Sequence, residues 1–186
     1  MNMIFLNYTL TSLLTLLLSH LMVSDAIVSK IYPVPPVNDN SLFYIQRSKN
    51  TNAIVYELNR STDGKVIAED PIKIYWIRYA SDSTTEDLTL IQRKYAYGVS
   101  SRTYNGQKNS FVIQFVAYKK RNIFLLPANN GKRYGAYINI NGKLAELKKI
   151  FVSTSGGSFW FPTIDYVEIT GKDPTTQQML VERFKP

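Results

Sequence analysis

From Leu42 onward, apolar residues recur at alternate positions in short runs, and polar clusters cut between the runs. A period of two is the mark of a strand with one buried face. Leu42–Arg47 is aromatic and β-branched. In Ala53–Leu58, Ile54, Tyr56 and Leu58 share one face and Val55 and Glu57 the other. Pro71 opens the clearest run. There Ile72, Ile74 and Trp76 fall on one side, Lys73, Tyr75, Ile77 and Tyr79 on the other. Arg78 ends this strand on the Trp76 side, where stacking on a ring or pairing with a carboxylate at the rim of the core is expected.

The punctuation is that of successive hairpins. Asp63-Gly64, Asn105-Gly106, Lys119–Asn122, Asn129-Asn130-Gly131, Asn141-Gly142 and Gly171–Pro174 each separate two apolar runs. Asn-Gly favours the type I′ turn, whose twist matches antiparallel strands. Strands are thus expected over 95–104, 107–118, 123–126, 134–140, 143–152, 163–170 and 176–184. Leu144–Phe151 also fits a helical stripe, but the preceding turn and the Ile-Phe-Val ending favour a strand. Ser83-Thr84-Thr85-Glu86 fits a capping box and predicts one short helix near 84–93. Ser153–Ser158 reads as a loop. The rings of Phe159-Trp160-Phe161 beside it either plug one end of the fold or form a contact patch. The expectation is an all-β fold, an antiparallel meander of about nine or ten strands closing into a sandwich or barrel.

The first residues differ from the rest. Leu13–Leu18 and Leu21–Val23 form an apolar run, with Ser24 and Ala26 as small residues before a cleavage point after Ala26. Residues 1–26 are therefore expected to be a signal peptide and the protein to be secreted or exported; the alternative is a membrane anchor left uncleaved. No Lys or Arg precedes the run. Residues 27–40, with Pro33, Pro35 and Pro36, read as an extended linker, and residues 41–186 as one β-rich domain.

Composition removes whole classes of chemistry. The chain has no cysteine and one histidine, His20, which would leave with the signal. The remainder then holds no thiol nucleophile, no Ser-His-Asp triad and no Cys- or His-ligated metal site. The formal charge is +8, which suits an acidic partner. The basic residues are scattered, however, and the densest run, Lys119-Lys120-Arg121, falls where a hairpin tip is expected. Nucleic acid is accordingly disfavoured, and neither a metal nor an organic cofactor is expected.

The segments LFYIQRSKNTNAIVYELN, PIKIYWIRYA, IQRKYAYGV and INGKLAELKKIFV resemble an uncharacterised family of exported proteins, catalogued as domain of unknown function 4833. The resemblance runs over about residues 31–183 and implies no activity, so it assigns no catalytic residue. A signal without Lys or Arg departs from the usual bacterial form.

Tyrosine and arginine recur together. Arg47, Tyr75, Arg78, Arg93, Tyr95 and Tyr97 are the candidate ligand-binding residues, because aromatic faces and guanidinium forks suit stacking and bidentate contact with a sugar or an anion. The plainer reading of the same pattern is ordinary half-exposed sheet surface. Asn59-Arg60-Ser61 is a glycosylation sequon. The pairs Glu69-Asp70 and Glu86-Asp87 suit turn solvation and helix capping better than acid–base work, since neighbours on an extended chain point apart. A non-catalytic binding module for a small amphipathic, glycan or anionic ligand is the leading expectation. A glycan-active enzyme using carboxylates and tyrosine, and an envelope or extracellular structural protein, are the alternatives.

Overall fold

The computed structural model describes residues 31–128, 132–157 and 162–186. The expected signal peptide with its cleavage point after Ala26, the turn at 129–131 and the rings of Phe159–Phe161 lie outside the described residues.

The alternating runs form strands. In chain order these are β1 (Ser41–Arg47), β2 (Ala53–Leu58), β3 (Ile72–Ile77), β4 (Thr85–Asp87), β5 (Val99–Thr103), β6 (Phe111–Phe115), β7 (Tyr118–Ala128), β8 (Arg133–Ile140), β9 (Lys143–Gly157), β10 (Pro162–Lys172) and β11 (Met179–Phe184), with, among the described residues, one short helix, α1 (Leu90–Tyr95), before β5. Nine of them follow one another as β4-β3-β2-β1-β9-β8-β7-β6-β5, and β10 joins β9 to β11. The sheet curls into a half-barrel, so the fold is all-β as expected.

The long strand β9 holds the two halves together. Glu146 pairs with Tyr137 of β8 and with Lys172 of β10, while Lys149 pairs with Tyr44 of β1 and Thr170 of β10. One edge of β9 therefore carries β10 from Glu146 to Gly157, and the other carries β8 first and then β1. The β1–β9 pairing is parallel, so the sheet is mixed rather than a pure antiparallel meander. Alternation along a strand shows only which face a residue takes, not its partner, and this pairing joins strands far apart in the chain.

Asn141-Gly142 forms the two-residue hairpin the sequence predicts, whereas Asn105-Gly106 turns within a longer loop, so residues 107–110 are not strand and β6 begins only at Phe111. Asn105 and Gly106 have φ of 47° and 68°, and Asn141 and Gly142 have 50° and 82°, the left-handed pairs of type I′ turns. Elsewhere the boundaries move. Val116 and Ala117 turn the chain, so Lys119–Arg121 lie within β7 rather than at a hairpin tip. Ser153–Gly157 continue β9 instead of forming a loop, because β10 supplies them with a paired edge. Residues 95–98 are not strand: Tyr95 ends the helix and β5 begins at Val99.

The helix also starts later than expected. Thr85–Asp87 add a strand to the edge of β3, and Ser83 sits in the turn before them with φ of 59°. Leu88 is buried. The capping box is Thr89-x-x-Gln92: the Gln92 backbone N–H donates to the Thr89 hydroxyl at 3.3 Å, and the Thr89 N–H donates to the Gln92 side-chain oxygen at 3.0 Å. Both boxes fit the same signature. The later one leaves Leu88 in the core and lets β4 extend the sheet.

The core is built on the inner face. Phe43 stacks on Tyr56, with centroids 4.4 Å apart and planes at 14°, and the Phe115 ring meets both edge-on at 6.1 and 5.7 Å. Ile54, Ile72, Ile74, Ile113, Ile123 and Leu125 are buried around them. On the outer face, residues 32–40 run without regular structure against the sheet. The side-chain N–H of buried Gln46 donates to the Pro33 carbonyl at 2.6 Å, and the Tyr32 ring sits edge-on to Phe151 at 5.2 Å.

Candidate functional site

At one end of the half-barrel, aromatic rings fill the inner face. At the other, the inward residues are mostly β-branched: Ile45 on β1, Ile150 and Val152 on β9, Val167 and Ile169 on β10, Ile138 on β8. These side chains are too short to meet across the curl. They leave a hollow of about 420 Å³, closed on its remaining sides by Phe115, Tyr118 and Ile123, by Phe184, and by the segment Ile91–Tyr97. Among the described residues, no Asp or Glu side chain lines it.

Arg47 brings charge to this apolar wall. It follows Ile45 by two positions on β1 and so shares the inner face. Its guanidinium lies 5.9 Å from the Trp76 ring centroid and 5.6 Å from that of Tyr97, within cation–π range of both. The Arg47 Nε is buried without a hydrogen-bond partner. Burial drives the Tyr97 phenol above its ordinary range, with the Arg47 charge acting in the opposite sense.

The mouth is set by α1. The Trp76 indole N–H donates to the Gln92 side-chain oxygen at 3.3 Å, so the glutamine that caps the helix also ties it to β3. Gly98 allows the exit: a Cβ there would lie 1.8 Å from the Arg93 carbonyl oxygen. The chain therefore folds back tightly after the helix and brings Tyr97 over Arg47.

The hollow has a second arginine, but it is neutralised. Arg121 makes a two-pronged pair with Glu182, with Nη1 to Oε2 at 3.0 Å and Nη2 contacting Oε1, and it packs on the Phe184 ring at 4.3 Å. The pairing lowers the Glu182 carboxyl below its usual range and raises the Arg121 guanidinium.

Three of the six candidate residues, Arg47, Tyr95 and Tyr97, meet at the hollow. The other three do not. Tyr75 lies on the outer face and donates to Glu57 at 3.0 Å; burial first, and then Glu57, push its phenol up. Arg78 pairs with Glu86 at 3.3 Å at the sheet edge, the rim pairing expected of it. Arg93 contributes its carbonyl to the tight turn and its side chain does not line the hollow. Asn59 of the sequon donates its side-chain amide to the Asp70 carbonyl at 2.9 Å. Glu86 and Asp87, expected to cap a helix, lie instead in β4. The apolar wall had no place among the candidates; its signal was the inward alternation of Ile150, Val152, Val167 and Ile169, which a packed core would share. Among the described residues, no three His, Cys, Asp or Glu side chains gather as a metal site would require.

No curated protein and no solved structure matches the chain. Residues 43–183 match the family described as Domain of unknown function (DUF4833), and the chain belongs to that family.

Proposed function

We infer that this domain is a non-catalytic binding module, in an exported setting, for a small amphipathic anion. The apolar body of the ligand occupies the hollow and its anionic group meets Arg47. The observation that carries this reading is the buried, unpartnered Arg47 Nε in a wall that has no Asp or Glu side chain among the described residues. A buried donor left unsatisfied costs about 1–3 kcal/mol, and a carboxylate or phosphate would recover that through charge-assisted bonds. The volume falls in the range of small-molecule sites. A glycan would demand more polar groups than this wall offers, and a glycosidase would need two carboxylates across its cleft. The apolar N-terminal run supports the exported setting.

A titration with a dansyl-labelled fatty acid tests the reading, with the unlabelled acid and its methyl ester as competitors. The wild-type protein should bind saturably at micromolar concentration and prefer the acid over the ester. Arg47→Gln should weaken binding of the acid about tenfold and erase that preference, with its melting curve showing an intact fold. Equal affinity in the two proteins, or no saturable binding in either, would overturn it.

A further inference from the structure

The exposed members of the hollow's lining, Ile91, Tyr95, Ala117 and Pro186, mark its mouth. Leu90 stands beside them. Leu90 is 86% exposed, Tyr95 65% and Ile91 49%, and none of the residues of α1 is buried. A six-residue helix that offers two large aliphatic side chains and a tyrosine to solvent is not there to fill a core.

The charged side chains of α1 are all basic. Arg93 and Lys94 occupy the last turn of α1, and its first turn has no acidic residue. The Lys94 ammonium lies 5.2 Å from the Tyr95 ring, and across the mouth the Lys120 ammonium lies 5.6 Å from the Tyr118 ring. Of the nearest carboxylates in sequence, one is neutralised by an arginine and the other is turned away. Glu86 is held by Arg78, and Asp87 stands opposite Tyr75 on the outer face. Apolar tips, tyrosines and flanking lysines are the composition of a surface that rests in the headgroup layer of a bilayer. The aliphatic side chains enter the acyl boundary, the tyrosines sit at the interface and the lysines reach anionic lipids.

We propose that the mouth of the hollow, through Leu90, Ile91 and Tyr95 with Lys94 and Lys120, docks on a membrane surface rich in anionic lipid. The docking geometry stands whether or not the hollow takes a ligand. If it does, the same contact lets an amphipathic molecule pass between bilayer and hollow without crossing water.

The absence of native cysteine allows a direct test. An NBD fluorophore is attached in the full chain at Leu90→Cys, and in a second protein at Thr62→Cys, in the turn beyond the end of β2 remote from Arg47. Each is mixed with vesicles of phosphatidylcholine alone, or of phosphatidylcholine and phosphatidylglycerol in equal parts. The expected result is a blue shift and brightening at position 90 with phosphatidylglycerol vesicles only. It should be reversed by high salt and reduced severalfold by Lys94→Glu with Lys120→Glu, and position 62 should stay unchanged. Adding Arg47→Gln should leave the response at position 90 intact, which separates this surface from ligand binding in the hollow. An equal response at both positions, or none at position 90, would overturn the proposal. So would a shift at position 90 produced by an acidic protein such as polyglutamate but not by the vesicles.

Discussion

The hydroxyl of Tyr56 donates to the carbonyl oxygen of Tyr97 at 2.8 Å. Among the described residues Tyr56 is the largest side chain wholly shut off from solvent, and this bond joins the centre of the core to the segment that closes the hollow. Tyr56→Phe keeps the ring stack with Phe43 and leaves the Tyr97 carbonyl without that donor. The expected cost is about 1–2 kcal/mol in urea denaturation, with weaker fatty-acid binding because Tyr97 loses its tether. A stability equal to wild type would show that the bond carries no net energy.

Buried phenols weaken the fold at high pH, these two among them. Burial raises Tyr56 well above the ordinary value of 10.0, and raises Tyr97 in the same direction. Each folded phenol therefore keeps its proton where the unfolded one has lost it. Their stabilisation is complete below pH 10 and declines as pH rises toward the folded values, by about 1.4 kcal/mol per pH unit for each group that stays protonated. Thermal melts between pH 9 and about 11.5 should show this decline starting near 10. The Tyr56→Phe protein should show a shallower slope.

Gly98 tolerates no side chain in its present place, since the carbonyl that a Cβ would strike belongs to the backbone of α1. Gly98→Ala should cost about 2 kcal/mol or more by forcing the helix off the mouth. Amide exchange should speed up in residues 90–98 while the β6–β7 ladder stays protected.

Arg121 and Glu182 form a partly buried pair that joins β7 to β11. A double-mutant cycle with Arg121→Met and Glu182→Gln should give a coupling of about 1.5 kcal/mol at neutral pH. The Glu182 carboxyl is depressed below its usual 4.5. Its contribution is therefore present above that value and lost as the pH falls through the depressed one. Repeating the cycle at successively lower pH should see the coupling vanish.

Much of this architecture was legible in the chain. The faces of β2 and β3 follow from the alternation of Ile54, Tyr56, Ile72, Ile74 and Trp76, and both Asn-Gly turns take the left-handed geometry their residues favour. What escaped depends on distant partners. The side chains of Ser83–Glu86 and Thr89–Gln92 are equally good helix starts, and only the free edge of β3 decides between them. Likewise Ser153–Gly157 have loop composition but meet β10 along their length. Arg47 was legible as an arginine among aromatics. That it would face a hollow rather than a filled core depends on the curl of the sheet, which no local pattern encodes.

The shared edge of β9 also sets an order of events. Ser48, just after β1, bonds to the backbone of Val152 and Thr154, the latter 106 residues further along. During synthesis β1 can form its hairpin with β2 at once, but its other edge stays bare until β9 has been made. Closure of so long a loop is slow, and a bare strand edge invites pairing with other chains. β1 thus leaves the ribosome long before its second partner, and its hairpin with β2 is not safe until β9 has followed.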